Sequence, residues 1–356
     1  LTESDLHSLT ARREQPGTAE GLPGQRMALD AALADALQML GERLVAPFAA
    51  RLRALGAGEV VLIPIGPLQL VPLHAARYRH EGRDMAFLDE FVVRYAPSLD
   101  ALRRAERSLE GRLRRPPSFC ALVVPAGRAC ASLALAEAKQ AAGSFPPERR
   151  TLLLENLVTP LAASTEIARA TCVHLSCPAR MDLDAPQRSY LELAHKQVLT
   201  WQAMAAGHVW QQARLAVLPQ AEIISSPGCL PQGIVTLPSS LLSLGVPGVI
   251  STLWPVADIS RVLLIAAFYD RAQPGGITGT EPSCSPAQAL ASAQRWLSRA
   301  TADEILTQLA AASHVTSEDL RTARDGGTLS SLGSLPPEAQ PFADPHHWAG
   351  YFYSGV

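Results

Sequence analysis

Two short segments of this 356-residue chain carry the residue types of thiol chemistry. The first reads Thr171-Cys172-Val173-His174-Leu175-Ser176-Cys177-Pro178-Ala179-Arg180. The second reads Ala221-Glu222-Ile223-Ile224-Ser225-Ser226-Pro227-Gly228-Cys229. Each is an apolar run that breaks off in small residues, the pattern of a buried parallel strand opening into a site loop. A thiolate with an imidazole in reach can attack a carbonyl carbon, and the imidazole then returns the proton to the leaving amine. His174 lies four residues before Pro178, about 13 Å at the rise of a strand. It is therefore expected deep in the sheet as a hydrogen-bonded core histidine. Cys177 points to the face opposite Pro178 and reads as a core thiol. Cys229 is the remaining candidate, expected in the loop after the second strand.

The elements that must position these residues follow from periodicity and punctuation. Residues 1–25 are polar with Gly and Pro and read as a loose lead-in. Leu29, Leu33, Leu37, Leu40 and Leu44 recur at spacings of three and four, one face of a helix running to about Arg53. Pro47 is expected to kink that helix or to begin a second one. Val60–Pro64, Phe91–Tyr95, Ser118–Val124, Thr151–Leu154 and Gly248–Leu253 read as strands. Leu99–Leu109, Leu133–Ala142, Leu237–Leu244 and Ile259–Asp270 read as helices, with Ser98 and Asp258 as N-caps and Gly143 and Gly245 as stops. Residues 272–284 are rich in Gly and Pro and read as a loop. Ser285-Pro286 opens a further helix, and Thr301-Ala302-Asp303-Glu304 is a capping box. Residues 324–345 read as loop, and Trp348–Ser354 as a closing strand. Strands alternating with helices predict a mostly parallel sheet covered on both faces.

Composition narrows the function classes. Hydrophobic residues make up 47% and charged residues 18%, which predicts a packed core. Net charge is −2 and the densest basic stretch is Arg112-Leu113-Arg114-Arg115, so nucleic acid is not an expected partner. No apolar run approaches the roughly 18 residues of a membrane span. The six cysteines lack C-x-x-C spacing and read as free thiols in a reducing, cytoplasmic setting. His346 and His347 are adjacent, so in a strand they point to opposite faces and do not share a metal. No cofactor is expected. The first residue is not Met, which suggests a fragment or a processed product.

The order of these landmarks resembles the CHAT family of caspase-like peptidases. Val61-Leu62-Ile63-Pro64 with Gly66, Leu68 and Pro72-Leu73-His74-Ala75 is similar to the family's opening strand and turn. Val93-Arg94-Tyr95-Ala96-Pro97-Ser98 is similar to its next landmark, and Leu133–Ala138 with Phe145-Pro146 to the helix that follows. Leu253-Trp254-Pro255-Val256 with Asp258 and Phe268-Tyr269 is the most specific block. Ala287–Trp296 and Pro345 with Trp348-Ala349 agree as well. The likeness covers residues 30–356, and one CHAT domain is expected over 26–356.

The resemblance implies a caspase-like three-layer α/β/α sandwich with a mostly parallel central sheet. Active members use a His-Cys dyad at the C-terminal ends of two parallel strands. The first strand there ends in His-Gly and the second in Ser-Ala-Cys. Here the matching residues are Pro178-Ala179 and Ser225-Ser226-Pro227. Proline has no thiol, no titratable group and no backbone N–H, so neither catalytic residue is intact. Ala179 also lacks the conformational freedom of Gly. The expected role is that of a pseudo-peptidase: peptide or protein binding, scaffolding or regulation. The alternative is an active cysteine endopeptidase using the displaced thiol Cys229. Asp182 and Asp184 could line the cleft as an acidic pocket or belong to a solvated loop. Ser225 and Ser226 sit at the nucleophile turn, Trp254 could wall a groove or pack across the loop, and Asp258 caps a helix. The implied partner is a peptide or protein, including an N-terminal helical-repeat region of the same parent protein.

Overall fold

The computed structural model describes residues 23–125, 131–182, 185, 188–224, 237–278, 284–311 and 332–356. Its strands, in chain order, are β1 (Glu59–Leu62), β2 (Arg77–His80), β3 (Arg83–Ala86), β4 (Val92–Tyr95), β5 (Phe119–Val123), β6 (Arg150–Leu154) and β7 (Cys172–Ser176). They continue as β8 (Ala179–Asp182), β9 (Tyr190–Glu192), β10 (Val198–Thr200), β11 (Leu215–Val217), β12 (Ala221–Ile224), β13 (Gly248–Thr252) and β14 (Tyr351–Gly355). Eight of them form the central sheet, in the order β1-β4-β14-β13-β11-β7-β5-β6. The block from β13 to β6 runs one way, and β14, β4 and β1 run the other. Within this sheet only the β13–β14 junction is antiparallel among the described residues.

Strand alternation divides the side chains of the sheet between two cores. Cys172 faces one core with Leu133, Ala134, Phe145, Leu264 and Phe268, from helices Ala131–Gly143 and Asp258–Thr278 and the segment between. Val173, Leu175 and Cys177 face the other with Ala163, Ile167, Met204, Trp210 and Leu241. The result is the expected mostly parallel sheet between helical layers, a three-layer α/β/α sandwich.

Local signals held where a cap defined them. The Ser98 hydroxyl accepts the Ala101 N–H at 3.1 Å. The Ser285–Gln288 and Thr301–Glu304 capping boxes are both closed reciprocally. The N-terminal helix begins at Pro23, inside the segment expected as lead-in. It runs to Leu40, passes through a π turn at Gly41–Val45, and resumes as Ala46–Ala54 with Pro47 in its first turn. A Cβ at Gly41 would stand 1.6 Å from the Arg77 carbonyl oxygen, so only glycine admits this approach to β2. The wider turn shifts the helical phase. Leu44, expected on the buried face, is therefore 45% exposed, and Val45 takes the core position.

Three further expectations are corrected. The helix from Asp258 continues to Thr278, through Pro274, Gly275 and Gly276, where a loop from 272 was expected. Its apolar face, including Leu263, Ala267, Phe268 and Ala272, is packed in the core, and that tertiary anchoring outweighs the poor propensity of its last turns. His346 and His347 lie on the 3₁₀ turn Pro345–His347, not in a strand, and the closing strand begins only at Tyr351. The segment after β7 does not open at once into a loop: β8 follows immediately. β8 joins β9, β10 and β12 in a second sheet of order β10-β9-β8-β12.

Candidate functional site at the strand ends

β7 and β11 leave the central sheet side by side and continue, after short joints, as β8 and β12, which pair in parallel. The joints are Cys177-Pro178 and Leu218-Pro219-Gln220. The Pro178 carbonyl accepts the Glu192 N–H at 2.9 Å, and the Ala179 N–H meets the Gln220 carbonyl at 3.4 Å. Pro178 is thus built into the second sheet by its backbone. The run 221–224, expected as a strand of the central sheet, is β12 of this small sheet. The short β11 occupies the expected place beside β7, because Leu215–Val217 supply a strand buried on both faces. Thr252 at the end of β13 donates its hydroxyl to the Ala221 carbonyl at 3.1 Å, tying the joint to the sheet.

Beneath Pro178, on the same face of β7, lies a buried polar assembly. His174 and Glu137 are both fully buried, with Nε2 and Oε1 2.8 Å apart. A carboxylate only accepts, so His174 Nε2 donates. Its Nδ1 stands 3.2 Å from the Tyr269 hydroxyl. The Ser176 hydroxyl donates to the same Glu137 oxygen at 3.3 Å. Arg261, 1% exposed, brings Nη1 to 3.4 Å from Glu137 Oε2. Burial alone would raise the Glu137 pKa. The Arg261 charge, the His174 hydrogen bond and Ser176 together outweigh it and hold the carboxyl below its ordinary value. Burial holds the Tyr269 hydroxyl well above its ordinary pKa, so it stays a donor.

His174 thus occupies the depth foreseen for it. The sequence reading missed Glu137, Arg261, Ser176 and Tyr269. The available signal was a lone charge inside an apolar helical run, Leu-Ala-Leu-Ala-Glu137-Ala and Ile-Ser-Arg261-Val-Leu-Leu. Such a charge must find a partner when its helix is buried.

The thiols of this region are poor nucleophiles. Cys120, Cys172 and Cys177 are buried, and burial pushes each thiol up to about 12. Cys284 is half-buried, and burial raises its pKa as well. Asp184, Ser225, Ser226, Pro227 and Cys229 lie outside the described residues. Asp182 ends β8, where its N–H donates to the Ser189 hydroxyl at 3.1 Å and its Oδ1 accepts the Ala185 N–H at 2.8 Å. Trp254 is 3% exposed, donates Nε1 to the His346 carbonyl at 3.0 Å and stacks on the His346 ring. Gly350 is the residue that lets it in, since a Cβ there would stand 2.9 Å from the indole. Packing across the loop is therefore the role of Trp254. Helix Asp258–Thr278 begins at Asp258.

Two cavities flank the β5–β6 side of the sheet. One, of about 390 Å³, lies at the C-terminal ends of these strands and is lined by Val123, Pro125, Ala131, Leu135, Leu154 and Leu157. Val123 is the register partner of Ser176, so this cavity opens at the same sheet end as Pro178. The other, of about 420 Å³, lies at the opposite end, among Arg115, Arg149, Arg150 and Arg169. No group of three metal-ligating side chains occurs among the described residues. No helix among them is long and apolar enough to cross a membrane.

No curated protein matches the sequence. The family model of the CHAT domain matches residues 34–356, the same stretch that builds all the described strands and the assembly beneath Pro178, and the chain belongs to the CHAT domain family.

Proposed function

We propose that this CHAT domain holds a peptide or protein segment at its strand ends without cutting it, as a scaffolding or regulatory module. The observation that carries the reading is Pro178 at the end of β7 and Leu218-Pro219-Gln220 at the end of β11, the strand beside it, where neither an imidazole nor a thiol stands. Peptide cleavage by this family's chemistry needs a thiolate and a proton acceptor at those two strand ends, and these residues supply neither. The described thiols do not replace them, because Cys120, Cys172 and Cys177 are buried and held protonated. The apolar cavity beside Val123 and Leu154 supports retention of a segment, since it suits one or two hydrophobic side chains at the same sheet end. A helical-repeat region of the same parent protein is a partner of this kind.

Peptide-library digestion, combined with thiol labelling across pH and mass spectrometry, tests the reading. The expected result is an uncut library and no thiol reacting with an apparent pKa well below roughly 8.5. Cleavage that disappears in Cys229→Ala would overturn it in favour of a displaced-thiol endopeptidase.

A further inference from the structure

We propose that the β6 edge of the central sheet is a homodimer interface. Two copies join β6 to β6 antiparallel about a two-fold axis at Leu152, so that the sheet continues from one molecule into the next. An edge strand presents a row of backbone N–H and C=O groups that a second strand can pair. Proteins that avoid this place prolines or charges on the edge. β1, at the far edge, follows that rule: it runs into Pro64 and Pro67, and its Glu59 is engaged by Gln288 at 2.8 Å. β6 follows it only at its start: after the exposed Arg150 it continues as Thr-Leu-Leu-Leu, four residues without proline or charge. Leu152 and Leu154 pack partly on one core and Leu153 on the other, as in an interior strand left uncovered on one side. The apolar margin extends past the strand to Leu157, 66% exposed, and Leu161, 80% exposed.

Symmetry and charge select the occupant and the register. A two-fold axis that pairs a strand with itself antiparallel stands perpendicular to the sheet, so each residue faces one of the same side-chain parity. Centred on Leu152, the pairing sets Leu152 against its own copy, Thr151 against Leu153 and Arg150 against Leu154, which covers the partly buried leucines. It also sets Arg149 against Glu155 at each end. Both side chains are exposed and stand in the single turns that flank the strand. Moving the centre to Thr151 or Leu153 would set Arg149 against Leu153 or Leu157 and lose both ion pairs. A second copy therefore complements this edge in shape and in charge.

Analytical ultracentrifugation of the full chain over a concentration series tests the proposal. A reversible dimer is expected. Arg149→Glu, and separately Glu155→Arg, should each weaken it by at least about tenfold, because two attractive pairs per dimer become repulsive. The double variant Arg149→Glu with Glu155→Arg should restore it, and circular dichroism should show all three folded. A chain that stays monomeric at high micromolar concentration overturns the proposal. So does a dimer indifferent to the single charge reversals, or one that the double variant fails to restore. A monomer whose β6 amides gain protection from exchange only with an added strand peptide also overturns it, and assigns the edge to another partner.

Discussion

The deep half of β7 and its outer end share one side-chain face and carry opposite chemistry. Below, His174 and Ser176 hold Glu137 against Arg261 in a fully buried assembly. Two residues beyond Ser176, the same face ends in half-buried Pro178, engaged through its backbone carbonyl. The difference lies in what each place costs to change. A buried carboxylate that loses its partners keeps its desolvation penalty and loses the compensation. A side chain at the mouth is close to water, so replacing it leaves nothing buried unpaired. A peptidase-related frame can therefore tolerate different residues at its strand ends.

The sharpest way to break this contrast is at the floor. Arg261→Met should leave Glu137 buried with less compensation and destabilise the fold by about 4 kcal/mol, read from urea unfolding. A loss below about 1 kcal/mol would mean that the assembly is hydrated or relaxed. The frame's other buried histidine gives the next effect. His74 meets the Tyr95 hydroxyl through Nδ1 at 2.9 Å and Gln294 through Nε2 at 3.2 Å, and burial lowers its pKa to about 3. The unfolded chain binds this proton near pH 6.5 and the folded chain does not, so stability is full above about 6.5 and falls as pH drops toward 3. Roughly 3 kcal/mol should be lost on reaching about pH 4, and His74→Gln should flatten that part of the profile. Tyr269→Phe removes the hydroxyl that hydrogen-bonds His174 Nδ1 and should cost about 1–2 kcal/mol. At the mouth, Pro178→His should shift stability by less than about 1 kcal/mol. A larger shift would show that the proline itself holds the β7–β8 joint and would erase the contrast.

Much of the scaffold was legible because its signals are local. Ser98, Ser285 and Thr301 announced helix starts through hydroxyls that serve N–H groups three residues away. Where a distant contact decided the outcome, the reading failed. Leu44 was assigned to the buried face because nothing in its own helix shows that the Arg77 backbone presses on Gly41 and that a π turn follows. Pro274 and Gly275–Gly276 read as loop because the packing that carries their helix lies upstream on another face. The strand beside β7 was expected at Ala221–Ile224 and is Leu215–Val217, since both are short apolar runs and only pairing separates them.

The sequence by itself determined the family frame and the sandwich class. These depend on residue identity and order, which survive without coordinates. Tertiary structure alone decided that His174 pairs with a glutamate 37 positions earlier, and that an arginine 124 positions after Glu137 completes the pair. It also decided that Trp254 is packed under His346 and that β6 ends the sheet among the described residues, with Leu152–Leu154 only half-buried. The physical reason is the same in each case. Desolvation and strand pairing act between residues remote in the chain, so their energies appear only once folding has brought the partners together.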